Sequence, residues 1–192
     1  SIYDEAGPNA QFMLHHIFPS HAASAGLNLV EGNEANGVNM DLAHGTSALM
    51  TVFRNRFLGL NPGLNDNQNT QAFSNIAFIR QTNAVGNVLG TSGYHTNYES
   101  SRGPQGVQGM SNVSVYYLGW PGSGEQLTGP GYDSRVVSSL LRWKNCDYAT
   151  NSCRSLAAEV PAGHLTPSST LPPSFYMVSK PSWFGAVAWP PI

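Results

Sequence analysis

Four short apolar runs in this chain each close on an asparagine: Leu27-Asn28-Leu29-Val30-Glu31-Gly32-Asn33, Thr51-Val52-Phe53-Arg54-Asn55, Ala84-Val85-Gly86-Asn87 and Leu140-Leu141-Arg142-Trp143-Lys144-Asn145. The first intervals between those asparagines are 55 − 33 = 22 and 87 − 55 = 32 residues. One short strand recurring every roughly 20–30 residues is the pattern of a solenoid, in which each repeat buries its apolar face only against its neighbours. The competing reading is that Gly-Asn and Arg-Asn simply mark turns.

The repeat predicts an all-β chain, a right-handed parallel β-helix with long loops. Equivalent positions in stacked strands lie about 4.8 Å apart. An asparagine at a tight bend tolerates the left-handed backbone region. Its amide offers donors and an acceptor, so Asn33, Asn55, Asn87 and Asn145 are expected to form a ladder. Breaking one buried rung should cost roughly 1–3 kcal/mol.

Charged residues make up only 10% of the 192 residues, with 20 Gly and 13 Pro, against a typical charged share of about 25%. Such a composition disfavours helices and favours a turn-rich, all-β chain. The net charge of −2 and the lack of a basic patch argue against nucleic acid. No apolar run is long enough to span a membrane. The chain starts at Ser1 without a visible signal peptide, which reads as a processed product or a piece of a larger one. Cys146 and Cys153 flank a turn-like Asp-Tyr-Ala-Thr-Asn-Ser segment. A disulfide there fits an extracellular location, and two free thiols are the alternative. The spacing is poor for zinc.

The chain reads as one domain over residues 1–192, with repeats over 27–148 and a closing segment over 154–192. Ser1–Pro8 is polar and turn-like, and Phe12–Phe18 reads as a strand. Gly37–Leu42 alternates and forms a second face. Leu60–Thr70, Gly90–Gly109 and Pro121–Gly131 are loops. Phe73–Arg80, Asn83–Leu89, Val113–Trp120 and Val136–Trp143 are further strands. After Cys153 the chain is rich in proline and aromatics, which bars a regular inner strand and suggests a lid or a lateral strap.

The phrases Asn28-Leu29-Val30-Glu31-Gly32-Asn33, His44-Gly45-Thr46-Ser47, Phe53-Arg54-Asn55, Val85-Gly86-Asn87-Val88-Leu89-Gly90 and Gly93-Tyr94-His95-Thr96 resemble the C-terminal half of bacterial secreted right-handed β-helix proteins of the pectate-lyase-like superfamily. Leu171-Pro172-Pro173-Ser174-Phe175-Tyr176, Lys180-Pro181-Ser182-Trp183-Phe184-Gly185 and Trp189-Pro190 resemble that group's closing segment. The resemblance implies earlier coils and an N-terminal cap, yet nothing before Leu27 reads as an amphipathic capping helix. A bare first coil would leave unpaired backbone groups that template strand addition. Fold by itself does not fix activity.

Among residues able to carry chemistry, Asp41 and His44 flank a bend, and Tyr94, His95 and Glu99 lie on the long loop. The resemblance implies lyases that hold Ca²⁺ on carboxylates and use a basic residue against a uronate. Glu31, Asp41 and Asp66 are the carboxylates near the repeats, and no Asp-x-Asp cluster is present. No cofactor is expected, Ca²⁺ being the candidate if one is bound. A catalytic set of His44 or His95 with Tyr94 and Arg54 or Arg80 could abstract a proton α to a carboxylate. The blander roles are turn hydrogen bonds for Asp41 and His44 and pairing to carboxylates such as Glu31 or loop carbonyls for Arg54 and Arg80. Adjacent His15 and His16 should face opposite ways. Trp120, Trp143, Trp183 and Trp189 can be packing or a sugar platform.

The leading expectation is a secreted or cell-surface structural module. Its uncapped first coil packs on another chain or copy, as a homo-oligomer or with a companion N-terminal fragment, with filament formation open. The alternatives are a polysaccharide lyase or hydrolase on an acidic polysaccharide, and a non-catalytic carbohydrate-binding module.

Overall fold

A computed structural model describes residues 12–101, 112–122 and 131–190. The asparagine-ended runs become strands β1 (Leu29–Glu31), β4 (Thr51–Phe53), β7 (Asn83–Val85) and β11 (Leu141–Trp143), which pair in parallel in the order β1-β4-β7-β11. Immediately after each comes β2 (Glu34–Ala35), β5 (Arg56–Phe57), β8 (Val88–Leu89) or β12 (Asn145–Asp147), and these form a second sheet. There the antiparallel strand β13 (Ser152–Arg154) closes the edge beside β12. A third sheet has the order β3-β6-β10-β9, from β3 (Val38–Met40), β6 (Phe73–Asn75), β9 (Asn97–Glu99) and β10 (Ser114–Leu118).

Register fixes which side chains meet. Val30, Val52, Ala84 and Arg142 stand opposite one another and point into the core. Phe57 and Leu89 enter it from the second sheet, and Val38, Met40, Phe73 and Tyr116 from the third. Each fully buried apolar side chain of this size contributes about 1.5–3 kcal/mol. The alternate residues of the first sheet face outward, in the columns Leu29-Thr51-Asn83-Leu141 and Glu31-Phe53-Val85-Trp143.

The expected all-β, right-handed parallel β-helix is corrected. The described residues form three separate, mainly parallel sheets with short helices among the strands, a mixed arrangement and no closed solenoid. Two departures show why. β10 enters between β6 and β9, out of chain order. The stretch read as a strand over Val136–Trp143 is half helix: α1 (Ser134–Ser139) is capped by Asp133, whose Oδ1 accepts from the Arg135 N–H, and only the end of the stretch is β11. Ala157–Glu159 and Ser182–Phe184 are 3-10 turns.

The N-terminal stretch read as a strand makes only single bridges, Phe12 to Gln68 and Ile17 to Val38. The second lies on the free side of β3. His15 turns inward and His16 outward. Ser1–Pro8 lies outside the described residues.

The asparagines sit in one column beside the first two sheets. Asn33 donates through its backbone N–H and its Nδ2, both at 2.9 Å, to Asn55 Oδ1. Asn55 donates in the same way to Asn87 Oδ1, at 2.9 and 3.0 Å, and Asn87 to Asn145 Oδ1, at 3.0 and 2.9 Å. The Nδ2 of Asn55, Asn87 and Asn145 also bonds a carbonyl of the neighbouring first-sheet strand: Val30, Val52 and Ala84. The left-handed backbone expected at the asparagines lies one residue earlier, at Gly32, Arg54, Gly86 and Lys144. The bend must precede the asparagine for its amide to turn inward along the column.

A second left-handed corner, Leu27, Leu49 and Gln81, precedes β1, β4 and β7 with the same spacing, 49 − 27 = 22 and 81 − 49 = 32. Asn55→Ala removes an acceptor of two donors in a fully buried place and should lower unfolding free energy by about 2–3 kcal/mol. Asn33→Ala, at the exposed end of the column, should cost well under half of that. Urea titration of both variants checks the contrast.

Candidate functional site: the open sheet edge and the strap face

The two ends of the asparagine column differ. At β12 the second sheet is sealed by β13, and a disulfide joins Cys146 to Cys153 across that strand pair. Next to it lies a buried charged cap. Arg142 Nη1 donates to Glu99 Oε2 at 2.6 Å, and Arg154 Nη2 donates to Glu159 Oε1 at 3.0 Å while its guanidinium lies 4.0 Å over the Tyr98 ring. Burial opposes the Arg142 charge, but Tyr98, Glu99 and Tyr116 around it hold the guanidinium above its ordinary value. Burial drives the Tyr98 and Tyr116 hydroxyls well up, Arg142 opposing.

At the other end, β1 and β2 have no strand beyond them among the described residues. Leu27 is 84% exposed, Leu49 48% and Leu29 39%. Asn33 is exposed, and its Oδ1 accepts from no described residue. The column therefore ends there on an acceptor, and its donors are spent on Asn55 and the Glu31 carbonyl.

The closing segment runs along the outer face of the first sheet as a strap. Leu171 and Val160 pack on Phe53, Val85 and Trp143. The Phe175 ring lies 4.1 Å from that of Phe53. Trp143 Nε1 donates to the Ser168 carbonyl at 3.0 Å. Arg54, placed at the corner by its left-handed backbone, donates from Nε to the Pro172 carbonyl at 2.9 Å, and Glu31 Oε2 accepts the Phe175 N–H at 2.9 Å. Burial beneath the strap lowers the Arg54 pKa, and Glu31 opposes the shift. Two grooves of about 550 Å³ flank the strap. One is apolar, along Leu29, Thr51, Asn83 and Leu141. The other is bounded by Glu31, Arg54, Tyr176, Trp183, Phe184 and Trp189.

The five residues read as catalytic fall into four separate groups. Tyr94 and His95 share Thr70: the Tyr94 hydroxyl meets its Oγ1 at 2.9 Å, and His95 Nε2 meets its carbonyl at 2.8 Å. His95 Nδ1 accepts the Thr91 N–H at 2.8 Å, so both ring nitrogens of this buried imidazole are in use. Burial lowers its pKa, the two backbone contacts opposing. His44 is exposed and packs edge-on against His21, which meets Asp41 Oδ2 at 2.7 Å. Arg80 pairs with Asp133, the α1 cap, at 2.9 Å. Arg54 holds the strap. Asp41 Oδ1 accepts the Ala43 N–H, a turn contact.

Sequence reasoning passed over Arg142, Arg154 and Glu159. The signal was present in Arg142, which holds the same register position as Val30, Val52 and Ala84. Trp143 serves packing beneath the strap.

Among the described residues no group of three or more His, Cys, Asp or Glu side chains could hold a metal ion, and no helix is long and apolar enough to cross a membrane. No family model matches the chain, and no curated protein or solved structure matches it.

Two measurements probe this architecture. His15 is fully buried, its Nε2 donating to the Gln71 carbonyl at 2.9 Å and its Nδ1 facing Asn69 Nδ2 at 3.1 Å. Burial pulls its pKa from 6.5 down to about 4. The folded protein keeps this ring neutral while the unfolded chain takes up a proton below pH 6.5. Its contribution to stability is complete above pH 6.5 and falls by about 3 kcal/mol as pH drops to 4. His15→Gln should flatten that part of the pH–stability curve. Gly86 has φ of 68° and a Cβ there would lie 2.8 Å from Leu171 Cδ1. Gly86→Ala should destabilise by about 1–3 kcal/mol, and Leu171→Ala in the same chain should recover part of the loss in thermal melts.

Proposed function

We propose that this chain is a structural assembly module that works outside the cell or at its surface, docking the open edge of β1 and β2 onto another chain or a second copy. The observation that carries the reading is the one-sided end of the asparagine column. Asn33 Oδ1 is exposed and accepts from no described residue. An incoming strand with an N–H and an amide at that level would repeat the two bonds that Asn33 itself makes to Asn55. Unpaired strand edges are templates for such addition, with main-chain bonds giving affinity and side-chain pockets giving selectivity. Leu27, Leu29 and Leu49 add exposed apolar surface at the same end.

The other end of the second sheet is closed by β13. Head-to-tail growth into a filament is therefore disfavoured in this sheet; in a pair of copies Leu27, Leu29 and Leu49 would carry the contact, and the two bonds to Asn33 Oδ1 fall to a companion strand from another chain. The Cys146–Cys153 disulfide supports an oxidising location such as the cell exterior. Turnover of an acidic polysaccharide by His44, His95, Tyr94, Arg54 and Arg80 is the weaker reading. His95 spends both nitrogens on backbone, and Arg54 and Arg80 are engaged with the strap and with Asp133.

Sedimentation of the purified chain over micromolar concentrations should show a species larger than the monomer. Leu29→Glu should return it to the monomer without changing the melting temperature by more than a few degrees. A strictly monomeric wild-type chain that also fails to pair with a companion strand-bearing fragment would sink the proposal.

A further inference from the structure

We infer that the groove between the edge of β1 and the end of the strap is a binding site for a neutral oligosaccharide. Trp183 and Tyr176 line this groove of about 550 Å³ while remaining 76% and 81% exposed. Two broad aromatic faces are thus kept in water beside a cleft, where isolated packing residues would be expected to turn inward. Both polar groups facing the groove are fixed by the backbone of the strap. Glu31 is held through Oε2 by the Phe175 N–H, and Arg54 is held through Nε by the Pro172 carbonyl. Phe184 stacks edge-on to both Trp183 and Trp189, at 5.6 and 5.3 Å, and Lys180 Nζ donates to the Val187 carbonyl at 2.6 Å, pinning the loop that presents Trp183.

Ligand sites combine apolar walls with a few preset polar groups. A pyranose ring has the matching chemistry: an apolar C–H face to lie on an aromatic ring and a rim of hydroxyls to donate to a carboxylate. The two charged residues of the lining, Glu31 and Arg54, offset each other and the Lys180 ammonium is turned to the Val187 carbonyl, so a neutral sugar is the favoured class. This inference does not rest on the assembly reading.

The test uses the Leu27→Glu chain, Leu27 lying at the same edge but outside the lining of this groove, so that pairing there cannot hide it. It is titrated with cellohexaose, xylohexaose and maltohexaose, with hexagalacturonate and a proline-rich decapeptide as comparison ligands, followed by tryptophan fluorescence and calorimetry. At least one neutral hexasaccharide should bind. Trp183→Ala should then weaken it about tenfold, and Tyr176→Ala should weaken it measurably. The Tyr176 side chain is exposed and packs on little, so its variant stays informative if Trp183→Ala fails to fold. Glu31→Gln should also reduce affinity while leaving the Phe175 N–H an acceptor. The inference is overturned if no neutral hexasaccharide binds at millimolar concentration, if hexagalacturonate or the decapeptide binds in their place, or if the Tyr176 and Trp183 variants bind as the parent does.

Discussion

One carbonyl oxygen taking two donors from the row beside it, repeated along the column, is the contact on which the rest of the structure depends. Each rung joins a backbone N–H and a side-chain amide of one asparagine to the amide oxygen of the next. It locks strand register and corner geometry together. A slip of one residue would put the asparagine outside and its neighbour in the column, stranding buried donors at a cost of about 1–3 kcal/mol each. With the register fixed, Val30, Val52 and Ala84 must face the core, and Phe53, Val85 and Trp143 must face outward. The outer column is apolar, so something must cover it, and the proline-rich strap does.

A chain with so few charges uses those it has as fasteners. Arg54 ties the strap, Arg80 ties the α1 cap to the loop after β6, and Arg142 and Arg154 close the end of the core with Glu99 and Glu159. Buried pairs of this kind add little net stability, but losing one partner strands the other. They also leave the ends of the molecule chemically unlike. One end is sealed by charge, a disulfide and an antiparallel strand, and the other exposes leucines and an amide oxygen.

The asparagine period was legible because each apolar run closes on the same residue type, at spacings of 22 and then 32 residues, and the backbone repeats that spacing at Leu27, Leu49 and Gln81. What the period could not convey was where the backbone bends. Asparagine tolerates the left-handed region, but here its side chain is needed in the column, so the residue before it takes the bend, even where that residue is Arg54 or Lys144. The helix over Ser134–Ser139 was hidden by Val136-Val137 and Leu140-Leu141, which read as strand, although Asp133 followed by Ser134-Arg135 is a capping signal. Alternation in Leu141-Arg142-Trp143 favours the Arg outside, yet the asparagine column sets the register that turns Arg142 inward, and the strap covers the Trp143 this leaves outside. The order β3-β6-β10-β9 lay beyond any local pattern, since it depends on where a long excursion returns. Of the residues read as catalytic, only Tyr94 and His95 share a partner, because proximity in space is set by the sheets and not by side-chain type.

The corner before each asparagine has a consequence for how such a chain can change. At Arg54 the side chain leaves the corner and grips carbonyls of the strap. At Gly86 the same position has no room, because Leu171 crosses it. Whether a corner tolerates a side chain is thus decided by a segment more than eighty residues further along, 171 − 86 = 85. Corner and strap cannot drift independently: rerouting the strap would free one corner for substitution and forbid it at another, so the two segments are bound to vary as a matched set.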